Sequence, residues 1–377
     1  MLMQIEEKQI TVLLLSAPIG SGHKLAAEAL AQELLRTPGV RVVHGNIFDF
    51  FPRFLGSAFL RSYLWILERC PWLYALAYKW GDRQGGSLWL RRLLNSALAW
   101  LGRGYLNRVQ PDAVVATHAT PAGIVACYKK RRPDLWLGAV VTDFTIHRWW
   151  LCESVDTYFI ADKLLCSKIT LPVDVQPLGI PVRRQFLQHD KQSCRQGFGW
   201  GADERVCLLM GGGEGLLPME EIMEGLQQEQ IAGLRGIAVT GRNAGLAERL
   251  HRRFGSSMEV YGFREDVPQL MAAADMIITK AGGLTSAEVL ASDLDFLVYK
   301  PLPGQEQGNA LFLQQYCGVR VAYNVQELMQ LVRVRRSDEA TQLRRQHAHP
   351  QAAQQICRYI LAKVRGCGEG DGGVFRK

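Results

Sequence analysis

Three glycine-rich turns in this 377-residue chain each follow an apolar run and open a helical pattern. Backbone N–H groups and the positive end of a helix dipole converge at such turns, which suits a phosphate. The first turn, Gly20-Ser21-Gly22-His23-Lys24-Leu25, fails as a dinucleotide fingerprint because Leu25 stands where Gly or Ala is needed. It also lacks the Lys-Ser/Thr pair of a Walker loop. What it does place is His23 at a helix mouth, where the dipole favours the neutral, proton-accepting imidazole. A plain surface histidine is the alternative. The second turn, Gly211 to Gly215, has little side-chain bulk to keep a ligand away, although tight strand-to-helix turns also use glycine for conformation alone. The third carries Gly282, Gly283, Leu284, Thr285 and Ser286, with Glu288 one turn in, where its carboxylate can accept from a ribose hydroxyl or reach back as a cap. A further cluster, Pro303-Gly304-Gln305-Glu306-Gln307-Gly308-Asn309, gathers amides and a carboxylate at a strand end. Sugar hydroxyls need both donors and acceptors, so the cluster reads as sugar recognition or as a solvated turn.

The elements that must position these residues alternate between strand and helix. Strands are expected at Ile10 to Ser16, Arg41 to Phe48, Ala113 to Thr117 and Leu137 to Thr142. A second series covers Arg205 to Met210, Gly236 to Thr240, Glu259 to Tyr261, Met276 to Thr279 and Phe296 to Tyr299. Helical patterns fall between them, which indicates an α/β fold of parallel sheets covered on both faces. The segment Val175 to Phe186, with Pro177, Gly179 and Pro181, reads as an irregular linker, and Thr341 to Val364 reads as helical. The expected division is an N-terminal acceptor and membrane-docking domain over 1–178 and a C-terminal donor domain over 179–340. Residues 341–365 would be C-terminal helices folded back on the first domain, and 366–377 a flexible tail. Ligands of facing open sheets bind at the carboxyl ends of the strands, so the chemistry belongs in the cleft.

The chain carries 44 Lys and Arg against 36 Asp and Glu, a net charge of +8, with ordinary globular hydrophobicity. The excess is local: residues 51 to 132 hold thirteen Lys and Arg but only Glu68, Asp82 and Asp112 as acids. Trp65, Trp72, Trp80, Trp89 and Trp100 lie in the same stretch. Cations interleaved with indoles suit an anionic membrane surface contacted through residues 51–109, while a core helix pair with a solvated basic face is the other reading. A nucleic-acid partner is not expected. The longest uncharged run, Ala113 to Tyr128, is shorter than a membrane span and contains Pro121. The polar start MLMQIEEKQI suggests no secretory signal. Nine cysteines without a C-x-x-C pair suggest neither a disulfide framework nor a zinc site, so a reducing cytoplasmic setting is expected.

In order, the motifs Gly20-Ser21-Gly22-His23, Thr142-Asp143-Phe144, His147, Trp150, Val155-Asp156 with Tyr158, and Gly179-Ile180-Pro181-Val182 are followed by Gly211-Gly212-Gly213, Gly241-Arg242-Asn243 and Gly262-Phe263. Then come Gly282-Gly283-Leu284-Thr285, Glu288 and Pro303-Gly304-Gln305-Glu306 with Asn309. This series resembles the monogalactosyldiacylglycerol synthases and processive diacylglycerol glucosyltransferases of glycosyltransferase family 28, relatives of the peptidoglycan lipid-intermediate N-acetylglucosaminyltransferase. The resemblance implies a GT-B fold of two Rossmann-like domains. It further implies an inverting, metal-independent transfer from a UDP-sugar, UDP-glucose or UDP-galactose, to the hydroxyl of diacylglycerol, with no cofactor and no metal, by a peripheral protein on the cytoplasmic face of the membrane. Another lipid-linked acceptor, or a noncatalytic basic binding protein, are the alternatives. By the same resemblance Glu288 holds the ribose, and Gly262 and Phe263 lie by the uracil. Gly212, Gly213, Gly282, Gly283, Leu284 and Thr285 bind the diphosphate, Arg242 and Asn243 join the donor site, and Gln305, Glu306 and Asn309 bind the sugar. His23 is the candidate base, with Asp143 and His147 as alternatives or orienters. The chain departs from the pattern at Ala281, Gln307 and Asp295, of which Gln307 bears on the choice of donor sugar.

Overall fold

The computed structural model describes residues 9–17, 21–50 and 86–366. Strand β1 (Ile10–Ser16) is a near-continuous apolar run with Val12 to Leu15 enclosed, as a parallel strand covered on both faces requires. Helix α1 (Gly22–Leu34) follows, burying Ala26, Ala27, Leu30 and Leu34. Next come β2 (Val40–Asn46), α2 (Gly86–Val109), β3 (Ala113–Ala116), α3 (Ala119–Lys129), β4 (Trp136–Val140), β5 (Thr157–Phe159) and β6 (Asp174–Gln176). These strands form a parallel sheet in the order β2-β1-β3-β4-β5-β6.

The second half repeats the plan. It comprises α4 (Lys191–Phe198), β7 (Arg205–Met210), α5 (Met219–Glu229), β8 (Leu234–Val239), α6 (Ala244–Phe254), β9 (Glu259–Tyr261), α7 (Val267–Ala273), β10 (Met276–Thr279), α8 (Gly283–Ala291), β11 (Asp295–Tyr299), α9 (Gln305–Cys317) and β12 (Arg320–Ala322). Its strands are parallel in the order β12-β11-β10-β7-β8-β9. Helices α10 (Val325–Arg333), α11 (Asp338–His347) and α12 (Ala352–Val364) end the described chain. The last of these lies against α1: Ile356 and Ile360 share a core with Leu30 and Leu34, and Cys357 Sγ donates to the Leu30 carbonyl.

The α/β, GT-B expectation holds, with three local corrections. Val175 and Gln176 belong to strand β6 (Asp174–Gln176) rather than to the linker; three residues before a proline are too few to show a period. The helical stretch 341–364 is two helices, parted at Ala348 to Gln351, where Pro350 cannot continue the ladder. Strands β5 and β12, three residues each, escape periodicity for the same reason as β6. Asp295, one of the departures from the family pattern, is paired with Arg320 Nη2 at 2.7 Å, joining β11 to the edge strand β12.

Gly20, most of the basic segment including Trp65, Trp72 and Trp80, the Trp89 side chain and residues 367–377 lie outside the described residues.

Candidate active site

In each sheet the winding reverses once, between β1 and β3 and between β7 and β10. Neighbouring strands there send their connections to opposite faces, which leaves a crevice at their carboxyl ends. The residues that follow those four strands are the Ser21 to His23 turn, Thr117 and His118, the Gly211 to Gly215 turn, and Lys280 to Gly283. Topology alone therefore collects His23, Gly212, Gly213, Gly282 and Gly283 of the expected site.

On the N-terminal side, His23 Nδ1 lies 2.8 Å from the Thr117 carbonyl and 2.9 Å from Thr142 Oγ1. A carbonyl can only accept, so Nδ1 carries the proton and Nε2 keeps the lone pair. Thr117 Oγ1 in turn donates to the His23 carbonyl at 2.9 Å, locking the helix entrance. Burial lowers the His23 pKa, opposed by the Asp143 charge and the Thr117 carbonyl. The result is a neutral base at physiological pH with a fixed tautomer.

Asp143 does not hydrogen-bond to His23. Its carboxylate accepts from Gln305 Nε2 at 2.5 Å and Asn309 Nδ2 at 3.0 Å, so it fastens the two halves together and acts on His23 through charge. The expected orienting role falls instead to the Thr117 carbonyl. His147 accepts from the Trp149 N–H as the cap of a short turn, Arg148–Trp150.

Across the cleft, α8 begins at Gly282 without a side-chain cap, so neither Thr285 nor Ser286 serves as one, and its dipole end is open. Gly213 of the second turn packs on Ser21, whose Oγ would lie 2.9 Å from an added Cβ. Lys280 stands beside Gly212 and pairs with Glu306 at 2.7 Å. This brings an ammonium, amides and a helix terminus to one anion-binding corner. Phe263 presents an exposed ring with the Arg242 guanidinium 5.5 Å from its centre, and Arg242 reaches Glu214 at 3.1 Å. Asn243 is taken up as the cap of α6, accepting from the Leu246 N–H.

Asn309 is enclosed completely. Its amide donates to Asp143 and to the Ala281 carbonyl, and its oxygen accepts from the Phe144 N–H at 2.9 Å. It joins the domains in this arrangement and has no amide hydrogen left for a sugar. Gln305 gives one amide N–H to Asp143, and Gln307 is exposed.

Glu288 is only 4% exposed and does not cap α8. Its Oε1 sits 3.6 Å from Arg183 Nη2 with no hydrogen-bond partner. Burial raises its pKa to about 7, with Arg183 pulling the other way. Because the folded value exceeds the unfolded one, the folded state binds the extra proton, and stability falls as pH rises from about 4.5 to about 7. Denaturant midpoints of the wild type should show this loss, about 3 kcal/mol at full extent, and those of Glu288→Gln should not. Identical pH dependence in both would show that Glu288 titrates normally.

Arg183, Thr117 and His118 belong to none of the expected site sets. Thr117 and His118 were signalled only by their place at the carboxyl end of a switch-point strand, and Arg183 by nothing local.

Facing parallel sheets with glycine turns at a shared cleft define the GT-B class of glycosyltransferase fold. Acinetobacter baumannii MurG superposes with a TM-score of 0.64 at 17% identity, over 93% of this chain and 99% of that one. The Staphylococcus aureus MnaA–UDP co-structure gives 0.61 at 13% identity, over 94% and 97%. Residues 23–182 match the family model of monogalactosyldiacylglycerol (MGDG) synthase, and residues 206–359 match the glycosyltransferase family 28 C-terminal domain. The chain belongs to the glycosyltransferases built from these two domains. It is 28% identical over 342 residues to a processive diacylglycerol beta-glucosyltransferase of Bacillus licheniformis, covering 87% of each. It is also 28% identical over 334 residues to a probable monogalactosyldiacylglycerol synthase 2, chloroplastic, of Oryza sativa subsp. japonica, covering 80% of this chain and 68% of that one.

Proposed function

We propose that this glycosyltransferase moves a hexose from UDP-glucose or UDP-galactose to the hydroxyl of diacylglycerol, with inversion and without a metal or cofactor, on the cytoplasmic face of a membrane. The observation that carries the reading is His23, neutral and with Nε2 as its acceptor nitrogen, at the entrance of α1, where Gly22 lies against Leu284 of the uncapped α8 turn, in a chain related to diacylglycerol glycosyltransferases. His23 Nε2 takes the hydroxyl proton as the oxygen bonds to the anomeric carbon from the side opposite the diphosphate. The carbon–oxygen bond to UDP breaks, and its electron pair departs on the β-phosphate, where Lys280 and the helix end meet the new charge. Glu288 offers its unpaired oxygen to a ribose hydroxyl, and Phe263 its open face to the base.

Docking fits α2. Leu93, Leu94, Trp100 and Leu101 are exposed along one side of this helix, with Arg103 and Arg108 exposed beside them. No helix among the described residues is long and apolar enough to cross a membrane. Incubation with diacylglycerol in anionic vesicles, each UDP-hexose and EDTA should yield a hexosyldiacylglycerol by mass spectrometry, and Leu93→Ser with Trp100→Ser should cut vesicle sedimentation at least about 10-fold. No product from either donor with sedimenting wild type overturns the reading; product only when a divalent ion is restored overturns metal independence.

A further inference from the structure

His118 caps α3, its Nδ1 accepting the Thr120 N–H at 3.1 Å. A ring nitrogen that accepts from an amide carries no proton, so in the neutral ring the proton sits on Nε2. His23 is held in the opposite tautomer, with Nδ1–H given to the Thr117 carbonyl and Nε2 bare. The two rings meet edge to face with centroids 4.7 Å apart, and the Trp150 ring lies 6.5 Å beyond His118. Neither Nε2 has a hydrogen-bond partner among the described residues. Burial keeps His118 uncharged, and a proton on His23 would disfavour a second one on His118.

Two rings in contact, one with a free donor N–H and the other with a free acceptor nitrogen, match one small group above others, an alcohol, whose oxygen can accept a hydrogen bond from the first while its proton goes to the second. Resting on the transfer to a lipid hydroxyl proposed above, we propose that His118 binds the acceptor hydroxyl, its Nε2–H donating to the oxygen whose proton His23 removes. One lone pair of that oxygen is held by His118, and the other attacks the anomeric carbon. The hydroxyl proton passes to His23 Nε2, UDP departs with the electron pair of the broken bond, and His118 keeps its own proton throughout. Its part is to aim the nucleophile.

Two variants separate this role from capping. His118→Asn keeps an acceptor where Nδ1 stands and so keeps the cap, but removes the Nε2–H donor. His118→Gln places an amide N–H near the Nε2 position and gives up the cap. With diacylglycerol vesicles and the active UDP-hexose, His118→Asn should lose roughly 30- to 100-fold in kcat/KM for diacylglycerol. Its Tm and UDP affinity should match the wild type. His118→Gln should recover about 10-fold of that loss despite a lower Tm. Wild-type efficiency in His118→Asn overturns the proposal, as does a loss that His118→Gln fails to reduce. Absence of glycolipid with the wild type itself rejects the lipid-acceptor reading as well, so the two failures are distinct.

Discussion

Replacing His23 with alanine should lower kcat by roughly 10³-fold while leaving UDP affinity close to that of the unaltered protein. General-base catalysis supplies about 10²- to 10⁴-fold, and this histidine has the features that place it in the upper part of that range. Its proton is parked on Nδ1 by the Thr117 carbonyl, so no tautomer must be found before each turnover. Burial lowers its pKa from the ordinary value of 6.5, so the base is unprotonated at neutral pH and kcat/KM should fall only as the pH drops below 6.5. The wild type should show that acid limb, and His23→Ala should lose it. Some stability is lost as well, because the buried Thr117 carbonyl and Thr142 hydroxyl each lose a partner. A His23→Ala enzyme within about 10-fold of wild type would place the base elsewhere.

The second large effect is expected at a residue with no functional group. A Cβ on Gly283 would fall 1.9 Å from the Thr142 carbonyl oxygen and 2.7 Å from Asp143 Oδ1, both on the opposite domain. Backbone cannot yield as a flexible side chain does, so Gly283→Ala must push the halves apart by an ångström or more. That displacement breaks the bonds of Gln305 and Asn309 to Asp143, and it withdraws the α8 terminus from His23. Misplacement on this scale costs about 100-fold in rate. The strain and lost pairing should destabilise the fold by about 2 kcal/mol. Donor loops within the second domain stay intact, so calorimetry should return UDP affinity within a few-fold of wild type. Wild-type kcat in Gly283→Ala would show that the closed contact is not the catalytic one.

Legibility differed by residue according to what each depends on. Strands such as Arg205–Met210 and Met276–Thr279 fell where the apolar runs placed them, because a strand buried on both faces must be largely apolar. The three-residue strands β5, β6 and β12 were hidden, since their place comes from pairing with neighbours rather than from any period of their own. The glycine turns and His23 were legible because conformation and helix position are local properties. Asp143 was read as an alternative base or an orienter of His23, and only the meeting of two domains hands its carboxylate to Gln305 and Asn309, from where it acts on His23 through charge.

From the chain alone came the α/β plan, the glycine turns, the candidate base and the family to which these motifs belong, all of which rest on neighbours in sequence. Which nitrogen of His23 holds the proton, which residue faces it as His118, and which carboxylate is left buried and half-paired as Glu288 were decided only by the fold. Those properties depend on hydrogen-bond partners and burial supplied from about a hundred residues away, as Thr117 stands to His23 and Arg183 to Glu288. A protonation state is set by its surroundings, and in this enzyme those surroundings exist only once distant strands and turns of each half have folded together.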